Sequence, residues 1–159
     1  MFYLEVFPEW FEYKETKPEV TVFVRGNSPE RISASVESLG AQETDRSYEV
    51  VVVTTSPEVV DMLEDARNPI VRWCVGDEKG YYTARGRLIC ELPEGFKASP
   101  KMIEALSVVD DVEDGMAFGR VKYPSGRRKS TKVCMVKGKG KERIFVDEVV
   151  AYAFGYGLQ

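Results

Sequence analysis

Apolar and polar positions fall into repeating blocks along the first part of the chain. Val20 to Val24 is an apolar run, Arg25-Gly26-Asn27 a short polar turn, and Pro29 opens a stretch with helical spacing; a second apolar run covers Val50 to Val53. This order predicts a strand, a turn, a helix and a strand. Ser28-Pro29, Ser56-Pro57 and Ser99-Pro100 repeat the same punctuation, each ahead of a run with helical spacing. A serine at the N-cap accepts a bond from an otherwise orphaned N–H, and proline at the first helical position forfeits a donor that had no partner. Behind the three signals come Ile32, Val36 and Leu39, then Val59, Val60 and Leu63, then Met102, Ile103 and Leu106. Each set forms one apolar face, as a helix lying on a sheet requires. The prediction is a repeated βα unit and an α/β, Rossmann-like fold with a mainly parallel sheet. In such sheets ligands bind beyond the carboxyl ends of the strands, so the polar turns are the first place to look for function.

The remaining pattern is coarser. Residues 2–13 are rich in aromatics and partly alternate, which suits an edge strand; Pro8 argues against a long central one. Val71 to Val75 reads as a further strand after the turn Asn68-Pro69, and Gly80 to Arg87 as a turn or short helix before the apolar triplet Leu88 to Cys90. Asp110 to Gly115 is an acidic loop. Val121 to Tyr123, Val133 to Val136 and Ile144 to Val146, separated by the turn signals Pro124-Ser125-Gly126 and Lys137 to Lys141, read as short antiparallel strands. A helix from Glu148 to Phe154, capped by Asp147 and stopped by Gly155 and Gly157, is expected to close the chain.

Composition narrows the classes. At 159 residues and 43% apolar content, one domain (1–159) with a real core is expected. No apolar run approaches the roughly 18 residues of a membrane span. No signal-peptide pattern opens the sequence, so a cytoplasmic setting is expected. Cys74, Cys90 and Cys134 match no close metal-ligand spacing, which favours reduced thiols over a disulfide framework. The sequence contains no histidine, which excludes Ser-His and Cys-His nucleophiles and histidine-ligated metals. The net charge of −4 conceals an asymmetry. Between Arg120 and Arg143 ten Lys/Arg stand against the single acid Glu142. A basic hairpin there could meet diphosphate, nucleic acid or an anionic lipid surface. It could equally be a solvated edge that its lysines protect from sheet-to-sheet pairing.

The stretch from Pro18 to Glu58 resembles the opening of a family 2 glycosyltransferase, a nucleotide-sugar enzyme with the GT-A fold. Asn27, Ser38-Leu39, Gln42 and Glu49 to Val53 stand where that family has its first turn, its Ser-Leu-x-x-Gln helix end and its second strand. "GYYTARGRLI" is similar to the family's Gly-x-x-x-Ala-Arg-Asn-x-Gly segment through Gly80, Ala84 and Arg85. "SPKMIEAL" is similar to the helix after its acidic motif, and "VDEVVAYAFGYG" faintly to its Glu-Asp helix. Three departures stand beside these matches: Thr54-Thr55-Ser56 replaces Asp-Asp-Gly-Ser, Glu91-Leu92-Pro93-Glu94 lies where Asp-x-Asp is expected, and Gly86 follows Arg85 in place of Asn.

The resemblance implies a three-layer sandwich with a mainly parallel sheet and a C-terminal antiparallel hairpin. Residues 18–110 would form the nucleotide-binding half, and 116–159 the basic hairpin and terminal helix. It implies a sugar transferred, with inversion, from a nucleotide-sugar donor to an acceptor. Arg25, Gly26, Asn27, Thr54, Thr55 and Arg85 would border the nucleotide, with Arg85 approaching the diphosphate through its planar fork. Glu91 and Glu94 would hold a divalent metal, Mn or Mg, and Asp147 or Glu148 would deprotonate the acceptor hydroxyl. Two alternatives remain open. One is a glycosyltransferase-like module without chemistry, with a contact surface built from the aromatic N-terminal segment and Tyr152, Phe154 and Tyr156, and possible homo-oligomer formation. The other is a nucleic-acid-binding protein using the basic hairpin. The acidic overall charge and the few aromatics in that hairpin, Tyr123 and Phe145, weigh against the latter.

Overall fold

A computed structural model describes residues 3–12, 16–76 and 83–154. Its strands are β1 (Tyr3–Val6), β2 (Val20–Arg25), β3 (Tyr48–Thr54), β4 (Val71–Gly76), β5 (Leu88–Glu91), β6 (Phe96–Ala98), β7 (Gly115–Tyr123), β8 (Gly126–Lys137) and β9 (Glu142–Ala153). Helix α1 (Pro29–Ser38) follows β2, α2 (Pro57–Ala66) follows β3, and α3 (Met102–Leu106) follows β6. All nine strands join one sheet in the order β1-β4-β3-β2-β5-β8-β7-β9-β6.

The first part forms as its pattern predicts. Ser28 Oγ accepts from Arg31 N at 3.4 Å and Ser56 Oγ from Val59 N at 3.3 Å, each with proline just inside the helix. Ser99-Pro100 differs. The third helix begins only at Met102, Lys101 is its N-cap without a side-chain bond, and the buried Ser99 Oγ has no partner. It is instead the Ser99 carbonyl that is used, accepting from Met102 N at 3.1 Å and Gln42 Nε2 at 2.7 Å.

The expectation of a mainly parallel sheet is corrected. Strands β2–β3, β2–β5, β3–β4 and β7–β9 pair in parallel, and β1–β4, β5–β8, β7–β8 and β6–β9 antiparallel. The parallel neighbours β2–β3 and β3–β4 are joined through a helix, and β7 and β9 through the whole of β8, the long return that parallel pairing requires. The reading of Ile144 to Val146 as a third antiparallel strand is corrected as well. After β8 the chain passes under the start of β7, where Asp114 accepts from Lys139 N and Lys141 N at 3.0 and 2.7 Å, and β9 then runs parallel to β7.

The terminal helix is likewise a strand. Val146, Val149, Val150 and Ala153 have helical spacing in the sequence. Register shifts beside Arg120 interrupt the two-residue alternation of β9 and so imitate that spacing. The β-branched content of the segment was the contrary signal.

The core lies on one face of the sheet. Val22, Val24, Val50, Val52 and Trp73 pack there with Ile32, Val36, Val59, Leu63, Met102, Ile103 and Leu106 from the three helices and with Leu39 just after α1. Each fully buried aliphatic side chain contributes about 1.5–3 kcal/mol. On the other face Phe23, Val51, Val53 and Cys74 form a small cluster with Ala84 and Ile89. Among the described residues all three helices cover the first face, so the expected three-layer sandwich is a sheet with helices on one side. All three cysteines are buried and none is in a disulfide. No helix among the described residues is long and apolar enough to cross a membrane.

Candidate functional site

Strands β2, β3 and β5 end side by side, with Arg25 opposite Val53 and Phe23 opposite Glu91. The turns that leave them are tied into one rim by Asn27. Its side-chain oxygen accepts from Thr54 Oγ1 at 2.8 Å, Thr55 N at 2.9 Å and Thr55 Oγ1 at 3.3 Å. Thr54 Oγ1 also accepts from Ser56 N at 3.1 Å, so this buried hydroxyl is fully used in holding the turn. Thr55 and Asn27 are exposed on the rim.

Gly26 brings the β2 turn against the segment after β5. Its N–H donates to Val53 O at 3.1 Å, its φ is 156°, and a Cβ there would meet Glu94 Oε2 at 2.2 Å. The Glu94 carboxylate uses that space to accept from Ser28 N at 3.0 Å, at the entry to α1. Glu91 accepts from Arg25 Nε at 3.2 and 3.3 Å and from Nη2 at 3.1 Å, a bidentate pair on the helix-free face. The Arg25 guanidinium also lies 4.8 Å over the Phe23 ring. The structure thus brings Arg25, Gly26, Asn27, Thr54, Thr55, Glu91 and Glu94 together at one edge.

These carboxylates do not fit the metal expected at Glu91 and Glu94. One is paired with an arginine, the other is committed to a backbone N–H, and Pro93 stands between them. The described residues hold no group of three or more Asp, Glu, Cys or His able to take a cation.

Arg85 is placed elsewhere. Only two residues separate it from β5, so it sits at the amino-terminal ends of the strands, not their carboxyl ends. Its Nε donates to Glu49 Oε1 at 3.0 Å and its backbone N–H to Glu49 Oε2 at 3.1 Å. Arg72, fully buried, donates to the same carboxylate at 2.8 and 3.1 Å, and Thr21 Oγ1 does so at 2.8 Å. Burial pushes the Glu49 carboxyl up, but the Arg72 hydrogen bonds and charge, with Thr21 and the Arg85 N–H, outweigh it and hold the group below the usual carboxylate range. Sequence reading missed this cluster. Its signal was a lone charge inside each of two apolar runs, Glu49 and Arg72. A cavity of 210 Å³ opens here, lined by Phe11, Tyr48, Glu49, Ile70 and Arg85. It is smaller than the ~300 Å³ or more of typical small-molecule sites. Gly80, matched in the same motif, lies outside the described residues.

Asp147 and Glu148 lie exposed on β9, not at a helix start. Asp147 pairs with Arg120 Nε, which holds its carboxyl below the usual range. Glu148 shares a shallow depression with Ser99, Lys101 and Tyr152.

Solved structures with this fold include TarS from S. aureus (TM-score 0.68, 13% identity, covering 86% of this chain and 60% of that one). A complex of S. aureus TarS with UDP also matches (TM-score 0.57, 18% identity, 69% and 37% covered). So does the mannosyltransferase PcManGT from Pyrobaculum calidifontis, in complex with GDP-Man and Mn2+ (TM-score 0.64, 14% identity, 91% and 61% covered). This chain therefore spans about three fifths of the first of these structures. No protein-family model and no curated protein matches it. The architecture around the rim is a GT-A-like glycosyltransferase fold.

Proposed function

We propose that this chain binds a nucleotide-sugar donor at the carboxyl ends of β2, β3 and β5 and transfers its sugar to an acceptor hydroxyl. The observation that carries this reading is the rim on which Asn27 ties Thr54 and Thr55 beside Arg25. In open α/β sheets the edge beyond the carboxyl ends of the parallel strands receives the ligand. Asn27 and Thr55 would face the base or ribose, and Arg25 the diphosphate. Thr54 would position Asn27 and not touch the donor. Asp147 would act as base on the acceptor. It lies on the same helix-free face as Glu91, about three strand spacings across and two residues along, or ~16 Å away. Arg120 keeps it ionised near neutral pH and limits its basicity, so its contribution to rate would be moderate.

The contact-module alternative is less favoured. Leu4 and Phe7 are exposed beside β1 at one end of the sheet, and Tyr152 and Phe154 by β9 and β6 at the other, so they do not form one surface. Tyr156 lies outside the described residues.

Calorimetric titration of UDP and GDP tests the reading. One of them should bind in the micromolar range, and Asn27→Ala should weaken it at least about tenfold, the scale of a lost polar anchor. Asp147→Asn should lower turnover of the matching nucleotide sugar and leave donor affinity unchanged. A folded protein that binds neither nucleotide would refute the donor site.

A further inference from the structure

The two carboxylates that a metal would need are already employed within the chain, Glu91 by Arg25 and Glu94 by the Ser28 N–H. We propose that the donor site takes its nucleotide diphosphate without a divalent cation: Arg25 supplies the positive charge, and Glu91 is the residue that aims it. This rests on the donor-binding reading above.

Arg25 leaves the carboxyl end of β2 with its guanidinium fixed by the bidentate contact to Glu91 and by the Phe23 ring beneath it. Its side chain is still 29% exposed, so the charge is both held and reachable. A planar guanidinium matches phosphate oxygens with no reorganisation of solvent around a loose side chain. A cation at the same place would have to displace Arg25 from Glu91 and the Ser28 N–H from Glu94, and would then face the arginine's own charge at close range. One or two carboxylates are the usual protein share of such a site, but both of those here are already committed, one to Arg25 and one to the Ser28 N–H. Lys129 adds a further positive charge on this face, whereas Arg120 opposite it is balanced by Asp147.

The test compares UDP and GDP titrations of the intact chain in EDTA and in manganese, for wild type, Arg25→Lys and Glu91→Gln. The expected result is equal affinity in both buffers, loss of about tenfold or more in Arg25→Lys as the fork is removed, and tighter binding by Glu91→Gln. The gain should be about fivefold, the scale of one like charge removed at ~4 Å in a watery setting. A metal ligand would behave oppositely. Binding that needs manganese and disappears in Glu91→Gln would overturn the inference and leave the donor site standing. Absence of binding in both buffers, by protein shown to be folded, would remove the donor site and the inference with it.

Discussion

Gly26 is where the rim depends most on a single residue. Its φ of 156° is one that a side chain rarely adopts, and the Glu94 carboxylate fills the space where a Cβ would project. Gly26→Ala should strain the turn and push Glu94 away from the Ser28 N–H, at a cost of about 1–3 kcal/mol. The measurement is a lower urea midpoint at unchanged slope; an unchanged midpoint would mean that Glu94 swings aside freely and the turn relaxes. At this scale much of the site was legible. Arg25, Asn27, Thr54 and Thr55 follow apolar runs directly, so they had to sit at strand ends. The role of Glu91 was not legible, because a carboxylate reads the same in sequence whether it meets a metal or an arginine 66 positions away.

Among the elements, the ribbon of β7 and β8 concentrates the basic residues. Lys122 stands opposite Arg127, and Arg120 opposite Lys129. Residues directly opposite on paired strands share a face, and like charges there repel. Arg120 is paired with Asp147 and Arg127 lies within its field, whereas Lys122 forms no ion pair among the described residues. Lys122→Glu should therefore stabilise the protein by about 0.2–1 kcal/mol, an effect that shrinks in high salt. Thermal melts at two ionic strengths decide it: a lower midpoint in the variant would show that the positive face is not self-repelling. The charge run was plain in the sequence. Its division between two faces required the register of two strands, which charge counting does not contain. The same lack of register turned β9 into an expected helix.

For the whole molecule, two carboxylates join parts of the chain that are remote in sequence. Glu49 binds Thr21, Arg72 and Arg85 at the amino-terminal ends of β2, β3 and β4. Asp110 receives Arg87, Arg46 at 3.0 Å and Lys137 at 3.4 Å, linking the segment after α3 to β5 and β8. Arg87 foremost, then Arg46 and Lys137, hold the Asp110 carboxyl far below the usual range, and Glu49 is lowered too. Both folded pKa values lie below the unfolded ones of about 4. Their stabilisation is therefore complete above that pH and is lost as pH falls through the folded values. Denaturant unfolding should give a flat stability from neutral pH to about 5 and a decline below about 4. Glu49→Gln should lower stability by about 1–3 kcal/mol, since buried Arg72 then keeps only the part-exposed Glu5 as its anion, and should reduce the acid slope. A slope identical to wild type would assign the acid sensitivity to other groups.

The sequence by itself determined what depends on neighbours a few positions apart. Apolar runs, serine caps and proline at the first helical turn specify β2, α1, β3 and α2, and with them the polar edge where a ligand is expected. Long-range pairing was decided only in the folded chain: the even mixture of parallel and antiparallel neighbours, β9 as a strand, Arg85 drawn to Glu49 at the opposite end of the sheet, and Arg25 closing on Glu91. Each of these depends on which strand lies beside which and in what register. That choice minimises exposed apolar surface and unpaired charge over the whole molecule, and no local window of sequence contains it.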